Sequence, residues 1–402
     1  MANHTPHGRS LKDALAAIGA DEVIALARDL VRIDSTNPPG NEQAVAAAIL
    51  NRARQAGLQA RLEHVSDRRA NARVCLEGTR RNSPRLLLCG HLDTVVVGQA
   101  PWQRDPFGAE IVDGVLWGRG AVDMKGGLAA MLGALCALKR SGASFPGDVE
   151  LVALVGEEVD CAGARHFVDM QGMEGAAWIV IGEPTGLRVA VSHKGCVRVR
   201  VTSHGISAHA ARPELGRNAI TEMGKLLVKL SALELPGPAH MLLSPPTVAP
   251  TIISGGSAVN VIPDRCELEL DVRTVPGQSR EEVLRGFRQL FATEFREERS
   301  PSVEVVYHRD PVQTPIDDRL ITAMRAACRQ VLVDVESEVI GLDFFTDGSV
   351  LQPQTGVPTV IFGPGDIALM HQVDERVGIA DVVRAAHVLT ALPFFLWEPG
   401  LA

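Results

Sequence analysis

The sequence predicts an α/β protein organised around a mostly parallel sheet, with a smaller α+β domain inserted into it. Three observations predict this. Residues 86–89, 149–155 (VELVALV), 178–181 (WIVI) and 359–362 (TVIF) are apolar runs without alternation, as strands buried on both faces of a parallel sheet are. From 189 to 202 the pattern turns to alternation, which suits a half-exposed antiparallel strand. The elements beyond it follow the order β-α-β-β-α-β of a ferredoxin-like unit, and the first style returns after Pro311. The boundaries expected are 1–189 and 309–402 for a core domain in two parts and 190–308 for the insert.

In chain order, residues 20–33 have helical periodicity, and the turn-rich stretch 34–41 (DSTNPPGN) separates them from a second helix over 42–56 that Gly57 ends. Strands over 60–64 and 72–76 lead to the run 85–94 (RLLLCGHLDT), opened by the turn Asn82-Ser83-Pro84. An exposed loop (103–107) and a hairpin (111–117) precede a helical pattern over 128–139, and a helix over 160–170 follows the second apolar run. In the insert, a helix over 218–233, strands near 250–254 and 266–273, a helix over 281–295 and a strand over 303–307 follow the alternating one. Helices over 318–331 and 381–392 and strands near 339–341 and 359–362 close the chain. His4 and His7 fall in a stretch expected to be a mobile tail.

With 402 residues, 46 % hydrophobic and 22 % charged, the chain has enough apolar content to fold and enough length for two domains. A net charge of -8 without any block of Lys or Arg argues against a nucleic-acid or acidic-membrane partner, so a small molecule is expected. The seven cysteines are scattered singly with no Cys-x-x-Cys pair, and read as reduced core residues of a cytoplasmic protein. The N-terminus lacks a signal layout and no run approaches eighteen apolar residues, so neither export nor membrane spanning is expected.

Open α/β sheets bind ligands at the carboxyl ends of their strands, and the ionisable residues collect there. His91 and Asp93 close the first run, Glu157 and Glu158 the second, Glu183 the third, and the fourth runs on towards His371. Asp123 lies among glycines in WGRGAVDMKGG, just before a helix. A His-x-Asp pair can be a metal ligand with its orienter, or a plain hydrogen-bonded pair. Each carboxylate alone reads equally well as a helix cap or a surface charge. Several converging carboxylates, however, repel one another unless protonated or neutralised by a cation, and a bound metal is the simplest solution.

GHLDTV (90–95), GRGAVDMKGG (118–127), GEE (156–158), GEPT (182–185), AHAARPELGRNAI (208–220), NVIPDRCELELDVRTVPG (260–277) and FGPGDIALMHQVDERV (362–377) together resemble the M20 family of co-catalytic zinc hydrolases. That family includes acetylornithine deacetylase, succinyl-diaminopimelate desuccinylase, aminoacylase and glutamate carboxypeptidase. The resemblance covers nearly the whole chain from about residue 20 and implies a zinc-exopeptidase-like three-layer catalytic domain with a mixed sheet, plus a ferredoxin-like lid that dimerises. It implies that Asp123 bridges two Zn²⁺ per subunit, with His91 and Glu183 completing one ion's ligands and Glu158 and His371 the other's. Glu157 is then the general base and Asp93 the orienter of His91. Three carboxylates and two imidazoles, without Cys, are the O/N set of hydrolytic zinc, although Co²⁺ or Mn²⁺ can substitute.

By the same resemblance, His209 reaches across a homodimer to stabilise an oxyanion, and Asn260 and Arg273 grip the substrate's carboxylate. From the residues themselves, His209 reads as a cap or solvent residue, Asn260 as a loop residue before Pro263, and Arg273 as the partner of a strand neighbour. His193, His204 and His308 read as surface or packing residues. The reaction expected is deacylation of an N-acylated amino acid or similar small carboxylate; the alternatives are a dipeptidase or carboxypeptidase and, third, a non-catalytic binding protein. GLDFFTDG (341–348) is less like any one branch and leaves the substrate open.

Overall fold

Four parallel strands form the centre of the sheet, and they correspond to the four unalternating runs: Val149–Leu154, Arg85–His91, Ala176–Ile181 and Thr359–Ile361, in that spatial order. The computed structural model describes residues 10–230, 233, 235, 237–296, 299–332 and 338–397, so His4 and His7 lie outside the described residues. Among these residues the sheet has nine strands. Gln59–Ser66 and Arg69–Leu76 extend one side antiparallel, and Val189–His193, beside Val312–Gln313 and Val339–Leu342, extends the other. The fold is therefore mixed α/β with a mostly parallel centre. Glu150, inside one central strand, is buried with Arg73 (2.7 Å) and Arg85 as its ion-pair partners, which makes a charge tolerable at that depth.

Two helices exceed the apolar length expected from the sequence. Ala121–Ser141 and Ile379–Trp397 are long and apolar enough to cross a membrane by length and composition, yet 100 % and 67 % of their apolar windows are buried inside the protein. They pack on each other, and Ile379–Trp397 also meets Arg319–Val331 and Ala20–Val31. All seven cysteines are free thiols and six are buried.

The chain divides into two compact units, one of residues 1–191, 313–340 and 346–402, the other of residues 192–312 and 341–345. The second unit is a four-stranded antiparallel sheet ordered Thr247–Gly255, Arg265–Thr274, Gly195–His204, Ser302–Arg309. Alternate residues Val197, Val199 and Val201 of one strand and Leu268 and Leu270 of another pack with Met223 and Leu226 of Ala219–Leu230 and Phe287 and Phe291 of Arg280–Glu294. That one-sided burial is what the alternation in the sequence encodes.

The expected single strand over 189–202 is two strands. Val189–His193 lies in the large sheet, buried along its length, and Gly195–His204 starts the smaller one. Ser192, His193 and Lys194 look like surface residues by type but are buried, and the side chains of His193 and Lys194 find their partners inside the protein. Lys194 Nζ donates to Ser244 Oγ (2.6 Å) and the Pro245 carbonyl (2.9 Å) and lies 3.3 Å from Asp343. His193 Nδ1 donates to the Lys194 carbonyl (2.9 Å). By contrast His204 is exposed beside Ser302 (3.1 Å) and His308 faces Asp310 (3.3 Å).

Burial lowers the His193 imidazole to a pKa of about 4, against 6.5 for a solvated ring. The unfolded chain therefore binds the extra proton between these values, so the stability of the native state is intact above pH 6.5 and falls as pH drops towards 4. Denaturant unfolding at pH 7 and pH 4.5 should show His193→Gln losing about 2–3 kcal/mol less than wild type over this interval. Equal losses would show that His193 is not the residue taking up the proton.

Candidate metal centre

The ends of the central strands bring the acidic residues together. His91 closes Arg85–His91, Glu157 and Glu158 follow Val149–Leu154, and Glu183 follows Ala176–Ile181. Asp123 sits in the irregular turn Ala121–Lys125, with φ -123° and ψ 91°, immediately before helix Gly126–Ser141. Close packing fixes that helix start: a Cβ on Gly127 would lie 2.1 Å from the Gly182 carbonyl oxygen, so only glycine lets the helix approach the strand end that carries Glu183.

Two triads result, and they share Asp123. His91, Asp123 and Glu183 form one and Asp123, Glu158 and His371 the other; within each, one ligand atom per residue lies within 4.8 Å of the others. Asp123 Oδ1 is 2.9 Å from His91 Nε2, and Oδ2 is 3.1 Å from His371 Nε2. His91 Nε2 is 3.4 Å from Glu183, and His371 Nε2 is 3.1 Å from Glu158. Glu183 Oε2 and Glu158 Oε1 are buried without a hydrogen-bond partner among the described residues. Buried oxygens in that condition are costly unless something accepts their lone pairs, and a divalent cation at each triad would do so. The donor set thus fits two metal ions.

Electrostatics give the same answer. Burial alone would lower the His91 imidazole, but the charges of Glu183, Asp123 and Asp93 outweigh it and hold the ring's pKa well above its usual value. His371 is raised to about 10 by its hydrogen bonds to Asp123 and Glu158. Burial pushes the Glu157 carboxyl well up, opposed by His91 and reinforced by Glu183, Glu158 and Asp347. Glu183 and Glu158 are also raised, first by burial and then by Asp123.

Asp93 holds the site together by a route the sequence does not show. His91 Nδ1 lies 2.9 Å from the Asp93 main-chain carbonyl and 3.6 Å from its carboxylate. The Asp93 carboxylate instead accepts from the amides of Gly156 (3.1 Å), Glu157 (3.1 Å) and Glu158 (3.3 Å) and from Asn37 Nδ2 (2.9 Å). Asn37 and Glu375 are functional neighbours that sequence reasoning missed. Asn37 stood in a turn-rich stretch that has an ordinary turn reading, and Glu375 lay four residues past His371 within a quoted motif.

His209, Asn260 and Arg273 belong to the second unit. His209 and Asn260 are neighbours there: Ala208–His209 pairs with Val261–Ile262, and the Ala210 amide donates to the Asn260 carbonyl (2.9 Å). The Ala211 amide donates to His209 Nδ1 (3.0 Å), so Nδ1 is an acceptor and Nε2 of the exposed ring carries the proton. Arg273 Nε donates to Asp271 (2.7 Å) and its guanidinium lies over Phe345, the strand-neighbour pairing that the residue's position suggested.

Paired His/carboxylate triads sharing one aspartate, at the carboxyl edge of a mostly parallel sheet, make a candidate centre for divalent metal in a mixed α/β fold. The sequence matches the family described as Peptidase family M20/M25/M40 over residues 87–393, and the chain belongs to that family. It is 30 % identical over 393 residues to a probable succinyl-diaminopimelate desuccinylase of Staphylococcus epidermidis, covering 90 % of this chain and 94 % of the relative. It is 31 % identical over 303 residues to an acetylornithine deacetylase of Proteus mirabilis, covering 73 % and 75 %. An M20 family metallo-carboxypeptidase from Sulfolobus solfataricus shares the fold with a TM-score of 0.77 at 18 % identity, over 93 % of this chain and all of that one.

Asp93→Asn keeps the shape but turns an amide N–H₂ towards main-chain N–H donors. It should destabilise the protein by about 2–4 kcal/mol, the scale of losing charged hydrogen bonds in a buried place. Urea melts measure this; an unchanged midpoint would mean that the 156–158 loop does not depend on that carboxylate.

Proposed function

We propose that the protein is an amidohydrolase that holds two Zn²⁺ and removes the acyl group from an N-acylated amino acid or similar small carboxylate. The observation that carries this reading is the pair of triads sharing Asp123, with Glu157 beside them and outside both. Bound there, the ions would polarise the scissile carbonyl and make a water more acidic. Glu157, beside the triads and in neither, would take the attacking water's proton and deliver it to the leaving nitrogen. The relatives named for desuccinylation and deacetylation favour the deacylase reading. The likeness to a carboxypeptidase keeps a peptidase as the second reading, because the two differ in what surrounds the site and not in these residues. A general base has no use in a binding protein, which places the non-catalytic reading third. Free thiols throughout fit a reducing, cytoplasmic setting.

The same reading makes the second unit a lid that forms a homodimer, with His209 donating from Nε2 to the oxyanion of the partner's site and Asn260 and Arg273 binding substrate carboxylate. Support comes from the sheet: Thr247–Gly255 is an edge strand, exposed from Ala249 onward, with Ile252 and Ile253 60 % and 53 % accessible, and such an edge invites pairing with a copy.

Exhaustive chelation should abolish turnover, and Zn²⁺ or Co²⁺ should restore it. Glu157→Gln should lower the rate by about 10²–10⁴ while two ions per chain remain; loss of metal would make Glu157 a ligand. A screen of N-acetyl, N-formyl, N-succinyl and N-carbamoyl amino acids against dipeptides decides between the two enzyme readings, and turnover of dipeptides alone promotes the peptidase.

The dimer has its own test. His209→Ala should cost about 10²–10³ in kcat, and mixing it with Glu157→Gln should restore activity on subunit exchange, since one site of the mixed dimer then carries neither lesion. A mixture as inactive as its parents, or an active monomer, removes His209 from a shared site.

A further inference from the structure

Glu375 is fully buried, and its carboxylate is filled from one direction. Oε1 accepts from the amides of Val122 (2.9 Å) and Asp123 (3.0 Å). Oε2 accepts from the Gly120 amide (3.0 Å) and Arg119 Nη1 (2.6 Å). Three successive-turn amides converging on one anion form a nest. The main chain continues the attachment: the Gly118 amide donates to the Glu375 carbonyl (2.9 Å), and Arg376–Gly378 pairs antiparallel with Val115–Trp117. A negative charge this close to Asp123 is unfavourable, and a neutral residue would avoid it. Glutamine, however, has one acceptor oxygen where four donors need two, and its amide would turn N–H groups against N–H groups.

The segment that carries Glu375 also carries His371. His91 and Glu183 sit at the ends of paired strands, whereas His371 lies in irregular chain with a φ of 60° and a half-exposed side chain. The attachment of its segment to the Asp123 turn runs through Glu375 and the short strand after it. We propose that Glu375 is a positioning residue: it locks the segment that carries His371 to the turn that carries Asp123, so that the triad of Asp123, Glu158 and His371 keeps its spacing. The proposal rests on the two-ion reading of the site and deepens it.

The test is a titration of chelator-stripped protein with Co²⁺, followed by calorimetry and by the visible absorption of the bound ion. His371→Ala identifies which dissociation constant belongs to the triad containing His371. In Glu375→Gln that constant should rise about 10–100-fold, the usual cost of losing a partner behind the ligands. The other constant should stay unchanged, and the cobalt spectrum of the affected site should shift. If Glu375→Gln lowers the melting temperature but leaves both constants and the spectrum as in wild type, Glu375 is only structural and the proposal falls. Equal weakening of both constants overturns it as well. If Glu375→Gln does not fold, Glu375→Asp keeps an acceptor one methylene short; its constant for the same ion should rise by less, and unchanged constants again overturn the proposal. A wild type that binds fewer than two ions overturns the two-ion reading itself, a failure visible before any variant is made.

Discussion

One carboxylate, that of Asp123, faces two clusters at once, and the surrounding structure is arranged around that demand. Each of its oxygens lies about a hydrogen-bond length from a different imidazole, and each imidazole has a second carboxylate beside it. Buried anions at this spacing cannot all stay charged without a counter-charge. The mutual field shows in its members: both imidazoles are raised in pKa and three glutamates are held up. The same field that draws protons draws divalent cations, so metal uptake and proton release are two sides of one equilibrium.

Holding the cluster against its own repulsion falls to elements that carry no ligand. Strand ends bring His91, Glu183 and the Glu157–Glu158 pair near one another, but a strand end fixes a Cα and leaves the following loop free. Two buried carboxylates finish the task in the same manner. Asp93 gathers the amides of 156–158, and Glu375 gathers those of 120, 122 and 123. Each turns main-chain donors inward, so the side chains of those residues are presented on the other side. Gly127 lets the helix after Asp123 come close to the sheet, against the Gly182 carbonyl at the strand end that carries Glu183.

This division explains what the sequence could disclose. Buried parallel strands write themselves as unalternating apolar runs, and ligands collect at their ends, so 85–94, 149–158 and 178–183 were legible from periodicity. The alternation of 196–202 announced a second sheet. The stretch before it misled, because Ser192, His193 and Lys194 are polar by type and buried by circumstance, the partners of Lys194 lying at Ser244, Pro245 and Asp343, far along the chain. Glu375 and Asn37 were illegible for a related reason. Their partners are mostly backbone amides or side chains far along the chain, Asp93 for Asn37 and Arg119 for Glu375, and a main-chain N–H leaves no mark in the sequence.

The adjacent glutamates show how such holding becomes chemistry. Glu157 and Glu158 are neighbours of identical type, and nothing in their side chains separates a base from a ligand. Their amides are pinned to different oxygens of Asp93, Glu157 to Oδ1 and Glu158 to Oδ2, so their backbones are fixed at the same moment in different orientations. Glu158 then meets His371 at 3.1 Å and belongs to a triad, while Glu157 belongs to neither, buried and raised in pKa by its surroundings. A ligand is useful when its charge is neutralised by a cation, and a base when its proton can still move. On the proposed reading, the loop geometry separates the two roles, and it does so through a carboxylate that lies outside both triads.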